Sequence, residues 1–315
     1  MNDSQPDWFK EALSISKEEK SIIVEEKSIH YQQWGDKDKQ GLVLVHGSGS
    51  HSHWWDFIAP LLLDNFQVSA LDMSGMGDSE RREDYSAELY GKEILQVAED
   101  SGFFEDNKQP IICGHSMGGF MSATAGYISV KPIKGVIMVD SPIRPPTYDY
   151  STHVRSGPIR RIKTYPDEDS ILERFRLTPE QECENKFLVD YIAKWSIKEV
   201  DNGFQWKFDD TIFDKLGISH MGRNIAFDLK CKLGVIYGTE SLMMTEEILT
   251  FIEDNVAEGT PIIPIEQAAH HVPLDQPQEL VKSIKLIAKD WYKNVPKLVS
   301  NIIFIFLFFH SQSSI

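Results

Sequence analysis

Gly114-His115-Ser116-Met117-Gly118 is the stretch whose residue types and spacing could do chemistry. A serine hydroxyl is a weak nucleophile until a base takes its proton. An apolar run, Pro110-Ile111-Ile112-Cys113, leads into the stretch, and a small-residue run over 120–125 leads out. Strand, sharp turn and helix is the setting of a Gly-x-Ser-x-Gly nucleophile elbow. Glycines two residues before and two after the serine leave room for the strained turn. The helix that follows points its N-terminus at the serine and favours negative charge there. A tight turn that happens to carry a serine would give the same five residues, so other landmarks must decide.

The first of these is His46-Gly47-Ser48-Gly49-Ser50, directly after the continuous apolar run Leu42-Val43-Leu44-Val45. Such a run reads as a strand buried on both faces. A loop rich in Gly and Ser leaves backbone N–H groups exposed at the strand's C-terminal end. An oxyanion hole takes one N–H from such a loop and one from the residue after the nucleophile. Ser48 and Met117 fill those places, with Gly49 the alternative to Ser48. His51, His53, Trp54 and Trp55 are placed to line a pocket mouth. The histidines of this stretch have no carboxylate or cysteine at ligand spacing, so no metal site is read.

The elements that must position these residues follow a strand–helix–strand rhythm. Residues 21–24 and 28–34 read as two antiparallel strands, 66–72 and 135–140 as buried strands, and 88–100 as a helix. After Asp140, Ser141-Pro142-Ile143-Arg144-Pro145-Pro146 can continue neither strand nor helix. Residues 147–216 are aromatic and charged, with helical spacing near 170–175, 178–183 and 188–195. The rhythm returns with a strand over 233–238, a helix over 246–251, a strand over 261–265 and an amphipathic helix over 279–292. The sheet is therefore expected to be mostly parallel and covered on both faces.

Among 315 residues, 48 acidic against 32 basic side chains give a net charge of -16, which argues against nucleic acid or an anionic membrane surface as partner. A small-molecule substrate is the expected partner. Three cysteines, Cys113, Cys183 and Cys231, cannot all pair and read as buried thiols of a reducing compartment. The polar, acidic first residues carry no secretory signal pattern, and a cytoplasmic location is expected. Residues 302–309 form a run of large apolar side chains, shorter than the ~20 a membrane span needs. Docking on the body or self-association is expected of it, and a non-native extension is the other reading. A homodimer through the 147–216 segment or this tail is an open expectation.

His46-Gly47, Asp72 with Gly75, Gly77 and Ser79, the 114–118 elbow, and His270 before Pro273-Leu274-Asp275-Gln276-Pro277 together resemble the α/β-hydrolase family. The likeness runs from about residue 20 to 293, in the family's order. It implies an α/β fold with helices on both faces of a mostly parallel sheet. Residues 1–146 and 217–296 would form the core, 147–216 an inserted, mainly helical cap, and 297–315 an apolar tail. It implies hydrolysis of an ester, amide, lactone or related bond, with no cofactor. Ser116 matches the nucleophile. Counting back from 273–277, the family's histidine falls at His270, with His271 the competing neighbour. The family's acid most often lies three residues past the glycine that is here Gly238. That position is Ser241, which cannot serve. Glu240, one residue earlier, and Asp140, at the end of the strand beside the nucleophile strand, are the two candidates, with Asp140 first. Asp72 belongs to a loop motif read as structural. Serine at 116 argues against relatives that attack with an aspartate, the haloalkane dehalogenases and epoxide hydrolases.

The resulting expectation is a serine hydrolase, a carboxylesterase acting on small to medium apolar or aromatic esters through an acyl-enzyme on Ser116. Phe175, Phe187, Tyr191, Trp195, Phe204, Trp206 and Phe208 would give the cap apolar surface, most of it cap core. Carbon–carbon bond hydrolysis or a lyase reaction on the same residues is the alternative chemistry. A non-hydrolytic ligand-binding protein is the alternative class, favoured by the missing acid at 241.

Overall fold

The computed structural model describes residues 5–148, 162–216 and 225–293. Helix α1 (Asp7–Ser14) precedes strands β1 (Glu18–Val24), β2 (Lys27–Trp34), β3 (Gln40–Val45) and β4 (Phe66–Leu71). Helix α2 (Ala87–Asp100), strand β5 (Ile111–His115), helix α3 (Met117–Ile128) and strand β6 (Gly135–Val139) follow. Between β6 and the next strand of the main sheet come α4 (Glu168–Leu172), α5 (Lys186–Trp195), β7 (Ile197–Val200), β8 (Gly203–Trp206) and α6 (Ile212–Leu216). The chain then runs through β9 (Lys232–Gly238), α7 (Glu246–Asn255), β10 (Ile262–Ile265), α8 (Val272–Asp275) and α9 (Pro277–Lys293).

Eight strands form one sheet in the order β1-β2-β4-β3-β5-β6-β9-β10. The pairs from β4 to β10 are parallel; β1 with β2 and β2 with β4 are antiparallel. The central strands read as unbroken apolar runs because their side chains alternate between two buried faces. Leu42, Leu44, Ile111 and Cys113 enter one cluster with α9 residues such as Leu280, Ile284 and Trp291. Val43, Val45 and Ile112 enter the cluster on the opposite face with Ile94, Val97 and Met121 of α2 and α3. The Ser86 hydroxyl caps α2 by accepting from the Leu89 N–H at 3.1 Å. Among the described residues no helix is long and apolar enough to cross a membrane.

Three expectations about local structure are corrected. The short amphipathic helix α1 was not anticipated; its Phe9 packs against Phe57 and against Phe187 and Tyr191 of the inserted segment. Residues 178–183 are not helical; Gln181 within them bonds the loop that carries His271, as described below. The insert also carries the hairpin β7–β8, hidden by exposed Lys198 and Glu199; Asp201-Asn202-Gly203 was the turn signal for it. The apolar run 302–309 and the rest of the 297–315 tail lie outside the described residues.

The insert is fastened to the sheet by buried contacts. Leu188 and Ile192 of α5 join the core beneath it. The Tyr191 hydroxyl donates to Asp56 at 2.6 Å, and the Asp209 N–H donates to the Gly75 carbonyl at 2.6 Å. Phe187 and Tyr191 pack edge-on against Phe9, and Phe175 packs tilted against Trp206, so these aromatics serve packing.

Trp291 fills the space over Gly135 and Gly234 and is 2% exposed. Trp291→Ala should cost about 3–5 kcal/mol, read as a lowered urea midpoint at unchanged slope.

Candidate active site

The carboxyl ends of β5, β6 and β9 are held side by side by backbone bonds. The Ser116 N–H donates to the Val139 carbonyl at 2.8 Å, and the Asp140 N–H donates to the Ile236 carbonyl at 2.8 Å. Ser116 sits between β5 and α3 with φ 54° and ψ −121°. A side chain on L-residues disfavours such a backbone, so the surrounding packing must impose it. That packing leaves no space: a Cβ at Gly114 would lie 2.1 Å from the Gly118 carbonyl oxygen, and one at Gly118 2.3 Å from the His46 carbonyl oxygen. The Ser141 hydroxyl donates to the Ser116 carbonyl at 2.8 Å and fixes the turn from β6.

His270, on the loop after β10, brings its Nε2 to 3.0 Å from Ser116 Oγ. Its Nδ1 lies 2.7 Å from Asp140 Oδ1. Asp140 Oδ1 also accepts the Ser241 hydroxyl at 2.7 Å, and Oδ2 accepts the Gly238 N–H at 2.9 Å. Asp140 has φ 46°, a conformation that aspartate tolerates better than most residues. Burial pushes the Asp140 carboxyl up, while the Ser241 and Gly238 donors pull it down. Burial also pushes the His270 imidazole down, and the positive charge of Arg144 adds to that. At neutral pH the imidazole is therefore neutral, with its Nε2 lone pair directed at Ser116.

Of the two candidate carboxylates, only Asp140 meets His270. Glu240, the other candidate, has an exposed side chain with no hydrogen bond to His270 among the described residues, and its backbone N–H donates to the Ala268 carbonyl at 2.9 Å. Ser241, at the position where an acid was sought, instead donates to the acid on the neighbouring strand. His271 makes no hydrogen bond to Ser116 among the described residues; its Nε2 donates to the Pro179 carbonyl at 3.0 Å.

Met117 opens α3, where an N–H has no intrahelical acceptor. Ser48 lies in the loop after β3, half-buried. The Gly49 N–H is directed to Met76 Sδ at 3.3 Å. His46 holds this loop: Nδ1 donates to the Gly47 carbonyl at 2.7 Å, and Nε2 accepts the Met73 N–H at 3.0 Å. Asp72 braces the far side, accepting Ser52 N–H at 2.6 Å, Asp78 N–H at 2.9 Å and the His30 ring at 2.8 Å. Burial opposes a charge on His30, but bonds to Asp72 and Glu19 overcome it and raise the imidazole to about 10.

His51 and His53 do not line a pocket mouth. His51 Nε2 lies 3.0 Å from the Ser196 hydroxyl, and His53 stacks on Trp195 with ring centres 3.7 Å apart. Both fasten α5 of the insert to the β3 loop. The pattern for the alpha/beta hydrolase family matches residues 42–283, from β3 into α9 and across every residue of this site named above except Glu19 and His30.

The chain belongs to the alpha/beta hydrolase family.

An uncharacterised hydrolase, YugF, of Bacillus subtilis is 23% identical over 276 residues, covering 84% of this chain and 95% of that protein. A serine hydrolase-like protein of Danio rerio is 24% identical over 275 residues, covering 80% and 82%. The thioesterase domain from the curacin biosynthetic pathway superposes with TM-score 0.70 at 18% identity, covering 86% of this chain and 99% of that one. Within this hydrolase, sequence reasoning missed how the insert grips the histidine loop. The Gln181 side-chain carbonyl accepts the His271 N–H at 3.0 Å, and its amide donates to Asp275 Oδ2 at 2.8 Å. Asp275 in turn accepts the Ala269 N–H at 2.9 Å. Glutamine and aspartate this far apart give no sequence signal of pairing.

Ser241→Ala removes one of the donors that oppose the burial of Asp140. A bond to a charged group contributes about 1.5–3 kcal/mol. The Asp140 carboxyl should therefore titrate at higher pH in the variant, read by carbon-13 NMR of the side-chain carboxyl, with urea stability at neutral pH reduced.

Proposed function

We propose that the chain is a serine hydrolase of carboxylic esters that works through an acyl-enzyme on Ser116. The observation that carries this reading is the continuous chain of hydrogen bonds Ser116 Oγ–His270 Nε2 at 3.0 Å and His270 Nδ1–Asp140 Oδ1 at 2.7 Å. Membership of a hydrolase family supports it. In this reading Ser116 Oγ attacks the ester carbonyl carbon as His270 Nε2 takes the hydroxyl proton. Asp140 holds the Nδ1–H and stabilises the imidazolium. The N–H groups of Ser48 and Met117 receive the negative charge on the carbonyl oxygen. Collapse breaks the bond to the alcohol, which leaves with the proton from His270. Water, deprotonated by the same imidazole, then releases the acid and restores Ser116.

The test is turnover of p-nitrophenyl esters from acetate to long acyl chains. Ser116→Ala should lose roughly 10⁶-fold in kcat and Asp140→Asn roughly 10⁴-fold. Glu240→Gln should stay within a few-fold of wild type. Equal small losses at 140 and 240 would remove Asp140 from the role. Wild-type activity on no ester, with Ser116 still reactive, would favour the carbon–carbon reading.

The pH dependence follows from the shifts at the pair. The working state has a neutral imidazole and an ionised carboxyl. Burial lowers His270, so the base form persists to lower pH than for free histidine. The acid limb of kcat/KM should have its midpoint below the ordinary 6.5, as a property of the coupled pair. A midpoint above 7 would contradict this assignment.

A further inference from the structure

Two groups of side chains among the described residues bring metal-type donor atoms together: His30 with Asp72 and Asp78, and His115 with His270 and His271. The first is internally spent, because both His30 nitrogens face carboxylates and Asp78 pairs with Lys207. The second is different. One ring nitrogen from each of its three histidines lies within 4.8 Å of the others, and the residues are 2%, 4% and 4% exposed.

Each of these imidazoles is held at its other nitrogen. His115 Nε2 donates to the His270 carbonyl at 2.8 Å, His271 Nε2 to the Pro179 carbonyl at 3.0 Å, and His270 Nδ1 to Asp140 at 2.7 Å. A ring N–H given to a carbonyl or carboxylate is the outer support that metal-binding histidines use. It fixes the tautomer and leaves a lone pair at His115 Nδ1, His271 Nδ1 and His270 Nε2. The two Nδ1 atoms are buried and accept no hydrogen bond from the described residues. Trp54 packs against His115 and His271 and limits water there.

We propose that His115, His270 and His271 form an inhibitory site for a divalent transition metal, of which Zn²⁺ is the type, and that the ion switches the hydrolase off by taking the Nε2 lone pair of His270. Three imidazoles suit Zn²⁺, Cu²⁺ or Ni²⁺ and not Mg²⁺ or Ca²⁺. Zn–N bonds of about 2.0–2.1 Å place tetrahedral ligands about 3.4 Å apart, so donor atoms now within 4.8 Å of one another need only a small inward shift that keeps their outer hydrogen bonds. The fourth position stays with solvent. No bond to substrate is made or broken by the ion; it competes with the Ser116 proton for one lone pair. The regulatory half rests on His270 being the base of Ser116.

The experiment titrates the metal-free full chain with Zn²⁺ by calorimetry and follows ester hydrolysis in parallel. Expected are one high-affinity ion per chain, loss of hydrolysis in step with occupancy, and full recovery with EDTA. His115→Asn and His271→Asn should each weaken Zn²⁺ at least tenfold, while Ser116→Ala keeps wild-type affinity. Unchanged affinity in both histidine variants overturns the site. Stoichiometric Zn²⁺ with undiminished hydrolysis overturns the inhibition. Histidine-dependent binding in a chain that hydrolyses no ester supports the site and sinks the ester reading alone. If the variants do not fold, wild type with Co²⁺ decides: an intense visible band from a tetrahedral nitrogen site is expected, and its absence overturns the proposal.

Discussion

The backbone at Ser116 is the constraint on which the rest depends. A residue at φ 54° and ψ −121° stays there only if its neighbours leave it no alternative. Here they are strand, helix and loop backbone at distances that exclude any side chain at 114 or 118. This close approach places the serine clear of the sheet at the head of α3. It also brings the loop after β3 against the same turn. The glycines, the loop and the serine's exposure are therefore one steric fact seen from three sides.

A second dependence runs across the sheet. Because β6 lies between β5 and β9, a carboxylate at the end of β6 stands one strand from the serine. Asp140 uses that position, and the end of β9 supplies the Gly238 N–H and the Ser241 hydroxyl to hold it. A carboxylate at 241 would place a second negative charge against Asp140; a hydroxyl there gives it a donor. The same loop end makes room for the histidine, since a Cβ at Gly238 would lie 2.3 Å from the Ala268 carbonyl oxygen. The insert closes the arrangement from above through Gln181, which ties the histidine loop at His271 and at Asp275.

Much of the fold was legible because burial on two faces writes itself as unbroken apolar runs. Leu42 to Val45 and Gly135 to Val139 read as strands for that reason. The elbow was legible because its glycines are sterically obligatory. The choice between Asp140 and Glu240 was not, since it turns on which strand ends face one imidazole, a relation between residues 130 and 30 positions from it. Helix α1 and the hairpin β7–β8 were missed because both are short and their stability comes from packing on the core and insert. The roles given to His51 and His53 changed for a similar reason. Nothing near them in sequence announces Ser196 or Trp195, the partners that bury them. The grouping of His115 with His270 and His271 likewise exists only in three dimensions.

In the proposed mechanism the Ser116 hydroxyl is activated by His270 and Asp140. Reaction with a fluorophosphonate, followed by intact-mass and peptide mass spectrometry, tests it without assuming a substrate. One adduct per chain on Ser116 is predicted, forming at neutral pH, much slower in Asp140→Asn and absent in Ser116→Ala. A native wild-type chain that stays unlabelled, or an adduct on any other serine, would contradict it.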